Sequence, residues 1–249
     1  MFTKVKTKQE IEDIRTSGQM LASVLNFLEP KVMPGITTKE LADIAAQELK
    51  KLGGKPAFLG YSGFPDLICI SLNEEVVHGI PGTDVVQNGD LVSLDFGVNY
   101  NGMITDSAIT VIAGESNGEK RRLIKGTQEA LIAGISVVKD GIKTGDIGAS
   151  VEKLMTKYGF GIVRDLVGHG VGHSVHEEPD IPNYGVAGTG KTLQAGMTIA
   201  IEPMSTLGSE KVVLESDGWT IKTYDNSLSA HFEHTVLILE DSAEILTLV

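Results

Sequence analysis

A single cysteine, a single tryptophan and an aromatic content of 5% set the first limits on what this 249-residue chain can do. Cys69, having no partner, excludes an internal disulfide and any zinc site built on cysteine pairs, and its use fits a reducing compartment. Positive charge is scarce as well: 21 Lys and Arg stand against 33 Asp and Glu, a net charge of −12, which argues against a nucleic-acid groove. Any contact with RNA would be local, through Lys4, Lys6 and Lys8 or through Lys120-Arg121-Arg122. No stretch is apolar for the roughly 20 residues of a membrane span, and MFTKVKTKQEIEDIR at the start has neither an apolar segment nor a cleavage pattern. The expectation is a cytoplasmic protein without membrane contact. With 41% hydrophobic residues the chain can bury a full core, and one compact catalytic unit over 1–249 is expected.

The informative stretch is LVSLDFGVNYNGMITDSAITV, residues 91–111, two β-runs with one aspartate each. In the first run Leu91, Ser93 and Asp95 share one face; in the second, Asp106, Ala108 and Thr110 do. The turn-like Asn99-Tyr100-Asn101-Gly102 joins them, so both aspartates can face one cavity. Two carboxylates converging in an apolar setting call for a cation, because unpaired buried charge is costly.

Capping-box patterns at Thr7 with Glu10 and at Thr37 with Glu40 open two helices, the first stopped by Pro30 and the second by Gly53-Gly54. A short strand, LICIS, follows within residues 56–72, then the loop NEEVVHGIP. Beyond residue 112 the pattern predicts helices from about Gly118 to Val138 and from Thr144 to Tyr158. The chain also repeats itself. PGITTKELADIAAQELKKLG (34–53) matches DGIKTGDIGASVEKLMTKYG (140–159), and QNGDLVSLDF (87–96) matches QAGMTIAIEP (194–203). The second match sets Asp95 on Glu202, and the likeness of DSAITVI (106–112) to EHTVLIL (233–239) sets Asp106 on Glu233, after an insertion in the second half. Two halves, about 8–112 and 118–240, related by a pseudo-two-fold would bring four acidic residues to one centre.

GHGVGHSVHEEP (168–179) is too rich in glycine for a helix, so His169, His173 and His176 lie on a strand or loop, and the helical zinc-protease pattern does not apply. An extended chain sets His169 and His173 on one face, with His176 joining only if the chain bends, and at least one of the three is expected as a ligand. With His169 as the imidazole, Asp95, Asp106, His169, Glu202 and Glu233 suffice for two divalent ions and imply hydrolysis by activated water. His231 shares the Glu233 face and is a candidate to support a ligand; His234 points away.

These segments, with FLGYSGFPDLICISLNEEVVHGIPG, GMTIAIEPM and AHFEHTVLI, resemble the type I methionine aminopeptidases over nearly the whole chain. The resemblance implies the α+β pita-bread fold, a curved antiparallel sheet covered by two helix pairs. It implies metal ligands at Asp95, Asp106, His169, Glu202 and Glu233, binding two ions of cobalt, manganese, iron or zinc. Glu202 would carry the proton, and His78 and His176 would flank the scissile peptide. The methionine pocket would use Phe58, Tyr61, Phe64, Cys69, Val175 and Trp219, with Phe58 where cysteine is frequent and Val175 where a larger aromatic is frequent. The implied activity removes N-terminal methionine from peptides and nascent chains whose second residue is small, by a monomer, with the ribosome as a further partner. A type I enzyme without an N-terminal zinc-binding extension is expected, and no type II helical insertion fits between His176 and Glu202.

The rival on the same scaffold is an Xaa-Pro peptidase, which shares LVSLDFG and GHGVGHSVHEEP but not NEEVVHGIP, IEPM or HFEHTV. A metal-free binding module is disfavoured by the complete ligand set. GVAGTGKT (185–192) satisfies a phosphate-loop pattern, but Gly196 follows too soon for the required helix, and Asp95-Phe96-Gly97 matches a kinase tripeptide without its companions.

Overall fold

The structure, a computed structural model, describes residues 2–248. In chain order its elements are α1 (Lys8–Leu28), α2 (Thr38–Leu52), β1 (Lys55–Pro56), β2 (Ile68–Leu72), β3 (Glu75–Val77), β4 (Leu91–Tyr100) and β5 (Met103–Ile112). Then come α3 (Gly118–Ser136), α4 (Thr144–Tyr158), β6 (Gly161–Ile162), β7 (Gly168–Gly170), β8 (Glu177–Ile181), β9 (Thr198–Ile201) and β10 (Met204–Thr206). The chain closes with β11 (Val212–Leu214), β12 (Ile221–Thr223), β13 (Ser229–His231), β14 (Glu233–Ile238) and β15 (Ala243–Ile245). Both predicted capping boxes form: Thr7 Oγ1 accepts from Glu10 N and Glu10 Oε2 from Thr7 N (2.7 Å), and Thr37 and Glu40 do the same. The end of α1 is a 3-10 turn through Pro30, and Gly53 closes α2 in the left-handed region at φ 82°. No helix among the described residues is long and apolar enough to cross a membrane.

The repeat seen in the sequence holds down to single hydrogen bonds. Gly35 N donates to Val86 O and Val86 N to Ile36 O; in the second half Gly141 N donates to Leu193 O and Leu193 N to Ile142 O. Gly89 N reaches Ala113 O, as Gly196 N reaches Ile238 O. Thr38 Oγ1 accepts from Gly82 N, and its counterpart Thr144 Oγ1 accepts from Lys191 N. The halves differ where the sequence has its insertion: β10 and β13 pair, and the hairpin β11–β12 joins β3, a short strand inside what reads in the sequence as a plain loop.

Among the described residues nine strands form the main sheet, in the order β1-β4-β5-β14-β9-β7-β8, with β2 on β4 and β15 on β14. Its neighbours pair antiparallel throughout, and the two halves meet at β5–β14. Alternation along the strands divides the sheet. Leu94 and Phe96 with Ile68 and Ile70 bury against α1 and α2, while Ile199, Ile201, Val236 and Ile238 bury against α3 and α4. Each such side chain removed from water contributes on the order of 2 kcal/mol. Both helix pairs therefore cover one face, and polar groups are left to the other.

GVAGTGKT (185–192) is a connection packed on the start of α4, with Gly188 N bonded to Asp146 Oδ1 and Gly145 N to Thr189 O. No helix follows it before β9. The close fit of this segment's entry yields a stability prediction. Glycine to alanine inside a helix ordinarily stabilises by about 0.5–1 kcal/mol. At Gly148 in α4, however, a Cβ would fall on the carbonyl oxygens of Tyr184 and Pro182. Gly148→Ala is expected to destabilise by roughly 1–3 kcal/mol, read from the midpoint of denaturant unfolding.

Candidate active site

Register brings the acidic residues together. Asp95 on β4 lies opposite Ala108 on β5, and Ala108 lies opposite Glu233 on β14. Asp106 is two residues along β5 from Ala108 and so shares its face. On the far side His234 pairs with Ile201, so the next step of that register sets Glu233 beside Glu202, just past the end of β9. His169 on β7 pairs with Ala200, two residues from Glu202. A side-chain period of two thus delivers all five to the face that the helices leave free.

Hydroxyls lock this seam. Asp106 N donates to Thr235 Oγ1, which donates back to Asp106 O, both at 2.8 Å. Ser107 Oγ donates to Glu233 O, and Thr110 Oγ1 joins Ser93 Oγ and the backbone of His231. None of these bonds reaches the carboxylates, and Asp95 Oδ1, Asp106 Oδ1 and Glu233 Oε1 are buried and accept no hydrogen bond. One ligand atom from each of Asp106, His169 and Glu233 falls within 4.8 Å of the others. Orphaned buried oxygens beside an imidazole fit a divalent cation.

The electrostatics agree. Burial, with Asp95 and Glu202 adding repulsion, pushes the Asp106 carboxyl well above the ordinary range; burial and Asp106 do the same to Glu233. Asp95 is raised to about 7, again chiefly by burial. Glu202 differs: burial raises it, but the imidazoles of His231, His169 and His176 together bring it below its ordinary value. Its Oε1 lies 3.6 Å from His169 Nε2 and its Oε2 3.3 Å from His231 Nε2.

The histidines separate by role. His169 Nδ1 lies 2.9 Å from the carbonyl of Gly170, which can only accept, so the proton sits on Nδ1 and the Nε2 lone pair faces the cavity. His173 does not share this face, contrary to the extended-chain expectation. β7 ends at Gly170 and the chain bends at Gly172 (φ 144°), sending His173 outward to Glu10 Oε1 at 2.8 Å. The same bend turns His176 inward, its ring 4.3 Å from that of His169 and its Nδ1 3.1 Å from the Tyr61 hydroxyl. Burial, aided by His169, lowers His176 to about 4, and burial also lowers His78, whose backbone adopts φ 62°. His234 faces away and bonds Thr247 Oγ1.

A cavity of about 240 Å³ opens over these groups. Its walls include Phe58, Tyr61, Phe64, Cys69, His78, Val175, His176 and Trp219, with Asp95, Asp106, His169, Glu202 and Glu233 at the floor. Trp219 comes from the β11–β12 turn and meets Phe64 edge-on at 5.2 Å. Sequence reasoning missed Ser62, Val77, Leu166, Val167 and Met204, which also line it. Ser62, Val77 and Met204 lie inside segments singled out in the sequence; Leu166 and Val167, ahead of the histidine run, carry no signal of their own.

The sequence profile of metallopeptidase family M24 matches residues 12–240. A methionine aminopeptidase of Clostridium perfringens is 45% identical over 245 residues, covering 98% of each chain, and one of Aquifex aeolicus is 46% identical over 257 residues, covering 99% of each. The crystal structure of a methionine aminopeptidase from Thermotoga maritima superposes with a TM-score of 0.98 at 44% identity over the full length of both chains. A prolidase from Pyrococcus furiosus has a TM-score of 0.81 at 26% identity; the match covers 98% of this chain and 65% of that one.

The crowded carboxylates make the metal-free protein sensitive to pH. Carboxyls raised in the folded state hold protons more tightly than in the unfolded chain, so their stabilising effect is complete below the unfolded value near 4 and is lost as pH rises through about 7. In chelator, the melting temperature is expected to fall between pH 5 and 8, and Mn(II) should raise it more at pH 8 than at pH 5. Asp106→Asn should raise the metal-free melting temperature at pH 8 and shrink the Mn(II) increment. Differential scanning calorimetry with and without metal checks both.

Proposed function

The chain belongs to metallopeptidase family M24 and to the methionine aminopeptidases within it, and on that premise we propose that it removes N-terminal methionine from peptides and nascent proteins whose second residue is small. The observation that carries the reading is an apolar, sulfur-compatible pocket opening directly onto a buried set of four carboxylates and one imidazole. Asp95, Asp106, His169, Glu202 and Glu233 hold the metal, which we assign as two divalent ions of the cobalt, manganese, iron or zinc type. When bound, such ions activate water and polarise the carbonyl under attack.

The residues supply the rest. Phe58, Tyr61, Phe64, Cys69, Val175 and Trp219 receive the methionine side chain, whose flexible thioether packs against ring edges. Phe58 and Val175 belong to one buried apolar cluster with Phe64 and Cys69. Glu202, kept ionised chiefly by His231 beside it, takes the proton from water and passes it to the leaving amine. His176 is neutral at pH 7; with Nδ1 accepting from the Tyr61 hydroxyl, its Nε2–H is free to bond the carbonyl oxygen as negative charge develops there. His78, which also lines the cavity, flanks the scissile peptide together with His176. The reading includes a cytoplasmic monomer, a single catalytic unit over the whole chain and nascent chains at the ribosome as the natural supply of substrate.

A tripeptide assay separates this reading from the Xaa-Pro alternative. Met-Ala-Ser is expected to be cleaved, with Met-Phe-Ser and Ala-Pro-Ser at least 10²-fold slower in kcat/KM; the reverse preference would overturn the assignment. Chelation should abolish turnover and added Mn(II) or Co(II) restore it. His176→Ala should lower kcat by roughly 10²-fold with KM little changed, since the contact strengthens in the transition state.

A further inference from the structure

We propose that the buried pair Lys6–Glu177 positions His176 and so sets the rate of the reaction from outside the active site. The inference rests on the peptidase reading above. Residues 2–7 run as an arm beside the start of β8: Phe2 pairs with Glu178, Thr3 N donates to Glu178 O at 2.5 Å, and Lys6 N donates to Gly196 O. Lys6 is the buried end of that arm, with no exposed side-chain surface. Lysine is rarely so placed unless it is paired. Two of its ammonium protons go to Thr3 Oγ1 and Lys4 O, both at 3.0 Å, and Glu177 Oε2 lies 3.6 Å away with no other partner.

The other oxygen of Glu177 organises the turn. Oε1 accepts from His173 N at 2.7 Å and Ser174 N at 3.0 Å, closing residues 173–177 around one carboxylate. Gly172, at the start of the bend, has room for Lys6 only because it lacks a side chain: a Cβ there would lie 2.5 Å from Lys6 Cε and 2.9 Å from Nζ. Lys6 thus fills the inside of the bend and supplies the opposite charge for the carboxylate on which the bend is wound. His176 is the residue before Glu177, and its ring is set between His169 and Tyr61. A displacement of an ångström at such a group costs up to about 10²-fold in rate. Neither Lys6 nor Glu177 lines the cavity, so both are positioning residues that act through the turn.

The test uses the full-length, metal-loaded enzyme and Met-Ala-Ser. Lys6→Met is expected to lower kcat about 10-fold, with KM within about 2-fold and metal content unchanged. Lys6→Met/Glu177→Gln leaves no unpaired buried charge and keeps an oxygen for both turn amides; kcat should return to within about 3-fold of the starting enzyme. Lys6→Met/Glu177→Ala, equally free of charge but without that oxygen, should stay low, and it serves if Lys6→Met alone does not fold. In a His176→Ala background each substitution should cost less than about 2-fold, because the group they position is gone. An unchanged kcat in Lys6→Met and Lys6→Met/Glu177→Ala, or the same 10-fold loss with and without His176, would overturn the proposal. Turnover by the starting enzyme and its loss in His176→Ala bear on the peptidase reading itself, so the two failures are distinguishable.

Discussion

Repulsion among four buried carboxylates is the constraint that the rest of this molecule answers. Asp95, Asp106, Glu202 and Glu233 are buried together on one sheet face, and burial, with their mutual repulsion added, raises three of the four carboxyls above their ordinary range. At an effective dielectric near 20, two unit charges 4 Å apart repel by about 4 kcal/mol, which would splay a flexible site. The sheet resists because its seam bonds run backbone to hydroxyl rather than backbone to carboxylate, and because the opposite face is sealed by two helix pairs. Rigidity is supplied by groups that make no demand on the acidic oxygens, leaving those oxygens for a cation.

Much of this was legible in the sequence because the relevant signals are local or periodic. Capping boxes at Thr7 and Thr37, the alternation around Asp95 and Asp106, and the internal match that set Asp95 on Glu202 all involve spacings that the backbone preserves. The histidine run was less legible. Its fate depends on the bend at Gly172, which depends in turn on Lys6, some 166 positions earlier in the chain, and no local pattern reports that contact. The same holds for β3, whose strand character comes from pairing with β12 in an insertion that the first half does not share. Leu166 and Val167 reach the cavity only because β7 is aligned on β9. What a sequence hides here is long-range packing around loops; what it shows is the arithmetic of strands.

Placement of the pocket follows from the insertion. The β11–β12 hairpin carries Trp219 over the rim, where it meets Phe64 and His78 from the first half. The carboxylates of the floor are therefore built by what the halves have in common, and the Trp219 side of the wall by what they do not.

The duplication has one more consequence, visible in the partner of each strand. β7 lies against β9 as β2 lies against β4, so the residue that answers to His169 in the first half is Ser71, opposite Ser93. Ser71 offers no nitrogen; its hydroxyl accepts from Gly79 N. The carboxylates come in matched pairs, but the imidazole comes from one half only. Two ions bound at this pseudo-dyad would therefore meet unequal surroundings, one with nitrogen and oxygen donors and the other with oxygen alone. A fold with near-symmetric halves thus produces a polar centre, with a nitrogen donor on one side and oxygen donors alone on the other.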